Sequence, residues 1–396
     1  MVQDSYNIGI IGGGPAGCAC AYFIKQFNPS INVSVIDFST PLRTILPTGG
    51  GRCNLANAEY DFRELVKNYP RGEKFLYSIF SKFSTADTLD FFEQIGVETY
   101  MQDDFRIFPK SNSAKEIQTK LLEHLKDVKF IREKALRIET DKKFKVVTDM
   151  GAYYFDKLVY STGSHNGFDM IKRIGVSIVE IVPSLTAYVT EENFKPLMGT
   201  SIKNVLNKDT GFVGDVLYTH FGISGPLIYK ISSIKAKDKF PFGLKFDLYQ
   251  SLGDFQQVLN DNPHKFIKNV LSEFLPIRFV DYFLKNINIS GDTECHKVNG
   301  KMRDLILDKI HNYKIQIKGT KKDGETVNAG GVCLDKINSK TMESKEVPNL
   351  YFCGEVIDVD GFCGGFNLQN CWSTAYVAAN AIVWFCGSIS LWIIWI

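Results

Sequence analysis

The stretch Ile8-Gly9-Ile10-Ile11-Gly12-Gly13-Gly14-Pro15-Ala16-Gly17 decides the fold, because a short apolar run passes directly into a glycine turn. The small residues that follow, through about Phe27, read as a helix, and Asn32-Val33-Ser34-Val35-Ile36-Asp37 reads as a second strand. Strand, turn, helix and strand begin a βαβ unit. Gly12-x-Gly14-x-x-Gly17 is the spacing of a dinucleotide turn, and the acid Asp37 stands twenty residues after Gly17. Gly12 permits the tight turn, Gly14 lets the backbone approach a pyrophosphate, and Gly17 lets helix and strand pack closely. Pro15 and Ala16 open the helix, whose free N–H groups and dipole favour phosphate. Asp37 is expected to accept hydrogen bonds from adenosine ribose hydroxyls. The turn alone does not separate FAD from NAD.

Three further stretches carry ligand chemistry. Pro47-Thr48-Gly49-Gly50-Gly51-Arg52-Cys53-Asn54 gives a pliable backbone rich in accessible N–H groups. Arg52 can neutralise a phosphate and Asn54 can bond a ring edge, with Gly51 and Cys53 beside them. Tyr160-Ser161-Thr162-Gly163 ends an apolar strand, so Thr162 and Gly163 can approach a cofactor. The run from Leu350 to Asn370 is the most informative. A strand ends at Gly354, the acids Glu355 and Asp360 follow, and Gly364-Gly365 precedes a helix starting near Asn367 and Leu368. Acids after a strand suit ribityl hydroxyls, a Gly-Gly pair can pass close to a flat ring, and Asn367 is a good N-cap. The helix start beyond can offset negative charge that develops on a flavin ring.

The four stretches, in this order, resemble the BaiN-type flavoprotein family, which includes sequences described as aminoacetone oxidases. The matching segments are GGGPAG at 12–17, TGGGRCNLAN at 48–57, FPKSNSA at 108–114, THFGISGP at 219–226, NAGGV at 328–332, TMESK at 341–345 and GEVIDVDGFCGGFNLQ at 354–369. The resemblance implies non-covalent FAD, and an α/β build with a Rossmann-like FAD-binding domain, an inserted β-barrel-like domain and a helical cap. It implies that Gly12, Gly14, Gly17, Asp37, Gly51, Arg52 and Asn54 line the flavin from the N-terminal side. Gly354, Asp360, Gly364, Gly365, Asn367 and Leu368 would do so from the C-terminal side. Two positions depart from the family pattern. Asp37 stands where Glu is expected, and Phe105-Arg106-Ile107-Phe108-Pro109 lacks the Gly-Arg pair expected before Phe-Pro.

The remaining sequence sets the organisation. Residues 1–183 form the first part of the FAD-binding domain, and residues 61–135 read as mostly helical. Residues 184–253 begin the barrel-like substrate domain, 254–311 form the helical cap, 312–327 return to the barrel, and 328–396 complete the FAD-binding domain. The 396 residues carry 44% hydrophobic and 23% charged side chains with a net charge of +2. No global field recruits nucleic acid or an anionic membrane surface. The nine cysteines include no Cys-x-x-Cys, which excludes a thioredoxin-type pair and a zinc ribbon. Reduced cysteines and the lack of a basic, apolar leader predict a cytoplasmic protein. The apolar end, Ala381 to Ile396, is interrupted by Gly387, Ser388 and Ser390. A membrane span needs about 20 apolar residues, so this end reads as a helix end and a tail that pack on the body, with a surface anchor as the alternative.

The function expected is an FAD-dependent oxidoreductase that transfers hydride through flavin N5 and acts on a small organic molecule. As a reductase it would take electrons from NAD(P)H and reduce an activated C=C bond. As an oxidase of the aminoacetone type it would oxidise an amine and pass electrons to oxygen. A tRNA-modifying flavoprotein would need a basic surface, and a flavin-binding sensor would bind without turnover. No side chain declares itself the general base; His220 is placed best by position alone.

Overall fold

A computed structural model describes residues 6–165, 167–250, 254–321 and 327–387. The chain forms two compact units: Met1–Val182 with Asn328–Ile396, and Pro183–Val327.

The first unit is built on β1 (Asn7–Ile11), α1 (Pro15–Phe27) and β2 (Asn32–Ile36). Its five-stranded parallel sheet runs in the order Leu350–Phe352, Lys157–Tyr160, β1, β2, Lys129–Ile131. Ile10 lies between Val35 and Val159 in register. Ile8 and Ile10 are fully buried, which explains why β1 reads as continuous apolar sequence: the central strands of a parallel sheet are covered on both faces. A three-stranded meander, Ala135–Thr140, Phe144–Thr148 and Ala152–Phe155, reaches this sheet through Phe155. A Cβ on Gly9 would stand 2.5 Å from the Phe155 ring. The C-terminal helix Phe366–Gly387 packs along α1, and Tyr376 meets Phe23 edge-on at 5.2 Å.

Residues 61–135 are less helical than the sequence suggests. Between helices Glu73–Phe80, Thr85–Gln94 and Ala114–Glu123 lie the strands Thr99–Met101 and Arg106–Pro109, and Lys129–Ile131 is the outermost strand of the parallel sheet. Each is three or four residues long, too short for an alternation signal.

The second unit is a closed six-stranded barrel in the order Tyr188–Thr190, Gly222–Ser224, Val213–Tyr218, Ser201–Asn207, Phe242–Asp247, Tyr313–Thr320. Helices Phe255–Asp261, Ile267–Leu271, Ile277–Asn286 and Gly300–His311 share its core, where Phe246 and Ile315 of the barrel join Phe279 and Phe283 of the helices. Asp254 caps the first helix by accepting from Gln256 N and Gln257 N, and Asn299 caps the last by accepting from Met302 N. The expected α/β class with an inserted barrel and helices is thus present. No helix of the described residues is long and apolar enough to cross a membrane. The apolar tail from Ser388 to Ile396 lies outside the described residues.

Candidate active site

The glycine turn after β1 is shaped by three different demands. Gly12 takes φ +103°, and a Cβ there would stand 2.4 Å from Ser161 O. A Cβ on Gly17 would stand 2.0 Å from Gly12 O and 2.7 Å from Ser161 Oγ. A Cβ on Gly14 would meet no clash, its nearest neighbour being Thr44 Oγ1 at an ordinary contact distance of 3.6 Å. Gly14 is also the N-cap of α1, with no side-chain cap, Pro15 next, Ala16 buried behind it and no acid in the first turn. The helix therefore presents unpaired N–H groups and the positive end of its dipole at that turn. Asp37 follows β2, with one carboxylate oxygen accepting from Gly13 N at 2.6 Å and the other from Ser39 N at 2.7 Å and Ser39 Oγ at 2.8 Å. Ser161 donates to Gly12 O at 2.9 Å. It was not among the expected site residues, although the Ser-Thr-Gly turn contains it.

Gly49, Gly50 and Gly51 all take left-handed φ values, +58°, +69° and +87°. Arg52 stacks its guanidinium 4.0 Å over the Phe108 ring, and its Nε donates to Gly49 O at 3.2 Å. Cys53 turns inward: its thiol is buried and burial pushes it up to about 12, so it offers packing rather than reactive sulfur. Asn54 bonds protein rather than standing free for a ring edge. In the amide orientation that satisfies both ends it accepts from Gly365 N at 2.9 Å and donates to Ala56 O and Ile107 O. Thr162 is half-buried, and Gly163 takes φ +75° with nothing within 4 Å of its Cβ position.

The C-terminal stretch closes on these elements. Gly354 takes φ +77°, a Cβ there would stand 2.6 Å from Ala16 Cβ, and its N–H donates to Thr374 Oγ1 at 2.9 Å. Glu355 is half-buried; burial pushes its carboxyl up to about 7, and the neighbouring charge of Asp360 adds to the effect. Asp360 is fully buried and is held in a two-pronged ion pair by Arg71. Arg71 escaped the sequence reading; only the Pro70-Arg71-Gly72 turn hinted at it, and no local pattern links it to Asp360. The loop Gly361–Gly365 is clamped throughout. Asn57 Nδ2 donates to Gly364 O at 3.1 Å, and a Cβ on Gly365 would stand 2.3 Å from Ala56 O.

The helix beyond begins at Phe366, so Asn367 lies inside its first turn and is not its N-cap. The Asn367 side chain instead exchanges two hydrogen bonds with Gly361, at 2.8 Å and 2.9 Å. The correction has a physical reason: Gly365, at φ +96°, takes the position that ends the loop. Leu368 is half-buried beside it. No acid lies in the first turn of this helix. One turn in, both side-chain polar atoms of Asn370 are buried without a hydrogen-bond partner among the described residues.

The residues fit FAD. Two helix starts free of acids, open glycine positions at Gly50 and Gly163, an unclashed one at Gly14, and the orphaned Asn370 amide leave polar capacity that the described residues do not fill. Thiol chemistry is not set up here: burial raises Cys18 and Cys371 as well, and a hydrogen bond with Cys20 together with burial raises Cys353, and thiolate is the reactive form. Cys363 is exposed in the loop before Gly364. His220 stands exposed on the barrel, edge-on to Phe221 at 5.0 Å.

Residues 6–381 match the HI0933-like protein Rossmann domain family. A ribosomal RNA dihydrouridine synthase of Escherichia coli K12 is 27% identical over 406 residues, covering 96% of this chain and 99% of that protein. A 3-dehydro-bile acid delta(4,6)-reductase of Clostridium scindens is 26% identical over 410 residues, covering 95% and 98%. In fold, the chain is similar to the open conformation of a flavocytochrome c3 fumarate reductase, with a TM-score of 0.51 at 13% identity, covering 97% of this chain and 79% of that one. With its BaiN-like sequence and its uncapped glycine turn, this chain belongs to the HI0933-like family of FAD-binding Rossmann proteins and is a flavoprotein oxidoreductase.

Proposed function

We propose that this enzyme reduces a carbon–carbon double bond conjugated to a carbonyl, with NAD(P)H as the electron donor. The observation that carries the reading is that two relatives, each aligned over nearly the whole chain, bear names for adding hydrogen across such a bond: a dihydrouridine synthase and a delta(4,6)-reductase. Bound FAD supplies hydride chemistry at N5. The chain's own residues bind and orient. The amides at the start of α1 take the pyrophosphate, and Asp37, already aligned by Gly13 N and Ser39, takes the adenosine ribose. Glu355, with its carboxyl near neutrality, can keep a proton and donate it to a ribityl hydroxyl oxygen. The start of the helix Phe366–Gly387 offers its N–H groups to negative charge on the ring. The low net charge favours a small molecule over a polyanion as substrate.

The test is anaerobic. NADH or NADPH should bleach the flavin of the purified protein, and a conjugated enone should restore its colour without oxygen. A uridine-containing RNA offered in place of the enone decides the size of the substrate. If amines bleach the flavin and enones never restore it, the reductase reading fails and the oxidase reading replaces it.

A further inference from the structure

The helical part of the second unit gathers metal-ligating side chains that the flavin site does not use. Helix Phe255–Asp261 ends at Asn262, and His264 follows in the loop before helix Ile267–Leu271. Glu294 precedes the turn Cys295–Lys297, which contains His296. A backbone ladder staples the two segments. Ile267 N donates to Thr293 O at 2.8 Å, Cys295 N to Lys265 O at 3.0 Å, and His296 N to Pro263 O at 3.1 Å. The ladder brings one ligand atom each from His264, Glu294 and His296 within 4.8 Å of the others.

The rings are poised for a cation. The His264 and His296 centroids are 5.6 Å apart. His296 Nδ1 lies 2.9 Å from Pro263 O and 3.2 Å from a Glu294 carboxylate oxygen. Pro263 O can only accept, so Nδ1 carries the proton and Nε2 keeps its lone pair; a Glu294 carboxylate that turned to an ion would leave Pro263 O to hold that proton. Ligating histidines are commonly fixed in this way, through a carbonyl or carboxylate on the other ring nitrogen. The ring nitrogens of His264 have no hydrogen-bond partner among the described residues. Both histidines are exposed and Glu294 is half-buried, so an ion has a direct path in. Cys295, between them, is buried in the apolar core and is not a ligand.

We propose that His264, Glu294 and His296 bind a divalent transition cation of the zinc class, with a fourth position open to water. Two imidazoles and one carboxylate suit zinc, cobalt or nickel, whereas calcium and magnesium prefer oxygen donors. Zinc–nitrogen bonds of about 2.0–2.1 Å require the donors to draw together from their present spacing, a movement that exposed side chains allow. Lys297 Nζ stands 3.4 Å from the Glu294 carboxylate and competes for it. The cation would tie by side chains the two loops that the ladder ties by backbone.

The full-length holoprotein, freed of metal by a chelator and dialysed, is titrated with Co2+ and then with Zn2+. One equivalent of Co2+ should add visible absorption in the difference spectrum, Zn2+ should displace it, and Zn2+ should raise the melting temperature. His264→Ala and His296→Ala should each weaken binding at least tenfold with flavin content unchanged, and Lys297→Gln should tighten it. No saturable binding by the wild-type protein, or wild-type affinity in both histidine variants, overturns the proposal. The latter result places the ion elsewhere, at the exposed Cys363 thiol for example.

Discussion

Two glycine turns converge on the candidate site, and they are built in opposite ways. The turn Gly12–Gly17 is bare: its helix start has no side-chain cap, and its geometry follows from glycine at φ +103° and from close packing against Ser161. The turn Gly361–Gly365 is clamped by Asn367, Asn54, Asn57 and the Arg71–Asp360 pair, and Tyr69 OH donates to Phe366 O at 2.7 Å just beyond it. Asn57 reaches across 307 positions of sequence to do so. An open turn with free amides suits a phosphate, which brings its own charge and acceptors. A turn that passes close to a flat ring gains no such partner from its ligand, so other parts of the chain must hold it.

The largest effect is expected at Arg71. Arg71→Ala leaves Asp360 buried without its cation, which typically costs about 3–5 kcal/mol. Urea unfolding of the apoprotein should register that loss, and a loss under about 1 kcal/mol would mean that the second turn holds without its clamp.

Glu355 follows Gly354, which packs on Ala16 of the first turn, and it feels the charge of Asp360 at the second. Its folded pKa of about 7 lies above the model-peptide value of 4.5. The folded state binds the extra proton, so this contribution is full below about pH 4.5 and is lost as pH rises through 7. Apoprotein stability should fall by on the order of 2 kcal/mol between about pH 5 and pH 8 from this group, after allowing for its partial exposure. Glu355→Gln should flatten that slope. An equal slope in wild type and variant would remove Glu355 as the titrating group.

A smaller effect is expected at Phe105, in the hairpin that supports the second turn. It lies in the stretch that lacks the expected Gly-Arg pair, takes φ +63° and is 60% exposed. Phe105→Gly should therefore stabilise the protein by about 0.5–1 kcal/mol, because a left-handed bulky residue is strained and little packing is lost. A melting temperature that drops on this change would show that the exposed ring contributes more than the backbone strain.

The smallest stability effect belongs to the first turn. Gly14 has an extended backbone and only an ordinary contact, Thr44 Oγ1 at 3.6 Å, at its Cβ position. Gly14→Val should change apoprotein stability by no more than about 0.5 kcal/mol, yet abolish flavin content, because the side chain would occupy the phosphate position. Flavin retained in full by this variant would reject the assignment of the turn.

The barrel was implied by the family resemblance, while local sequence determined the βαβ start, the α/β class, an insertion of strands and then helices, and the glycine turns with their acids. These are local patterns: a φ that only glycine adopts easily, an apolar run the length of a buried strand, a helix that opens with proline. Tertiary structure alone decided what those residues touch. Asp360 is paired with Arg71 rather than standing free, Asn367 binds Gly361 rather than capping a helix, and Asn54 bonds Gly365. The short strands Thr99–Met101 and Arg106–Pro109 exist because they pair with each other and with Ala56–Asn57. Contacts between residues tens to hundreds of positions apart leave no periodicity in the chain, so they can be read only once the backbone has brought the partners together.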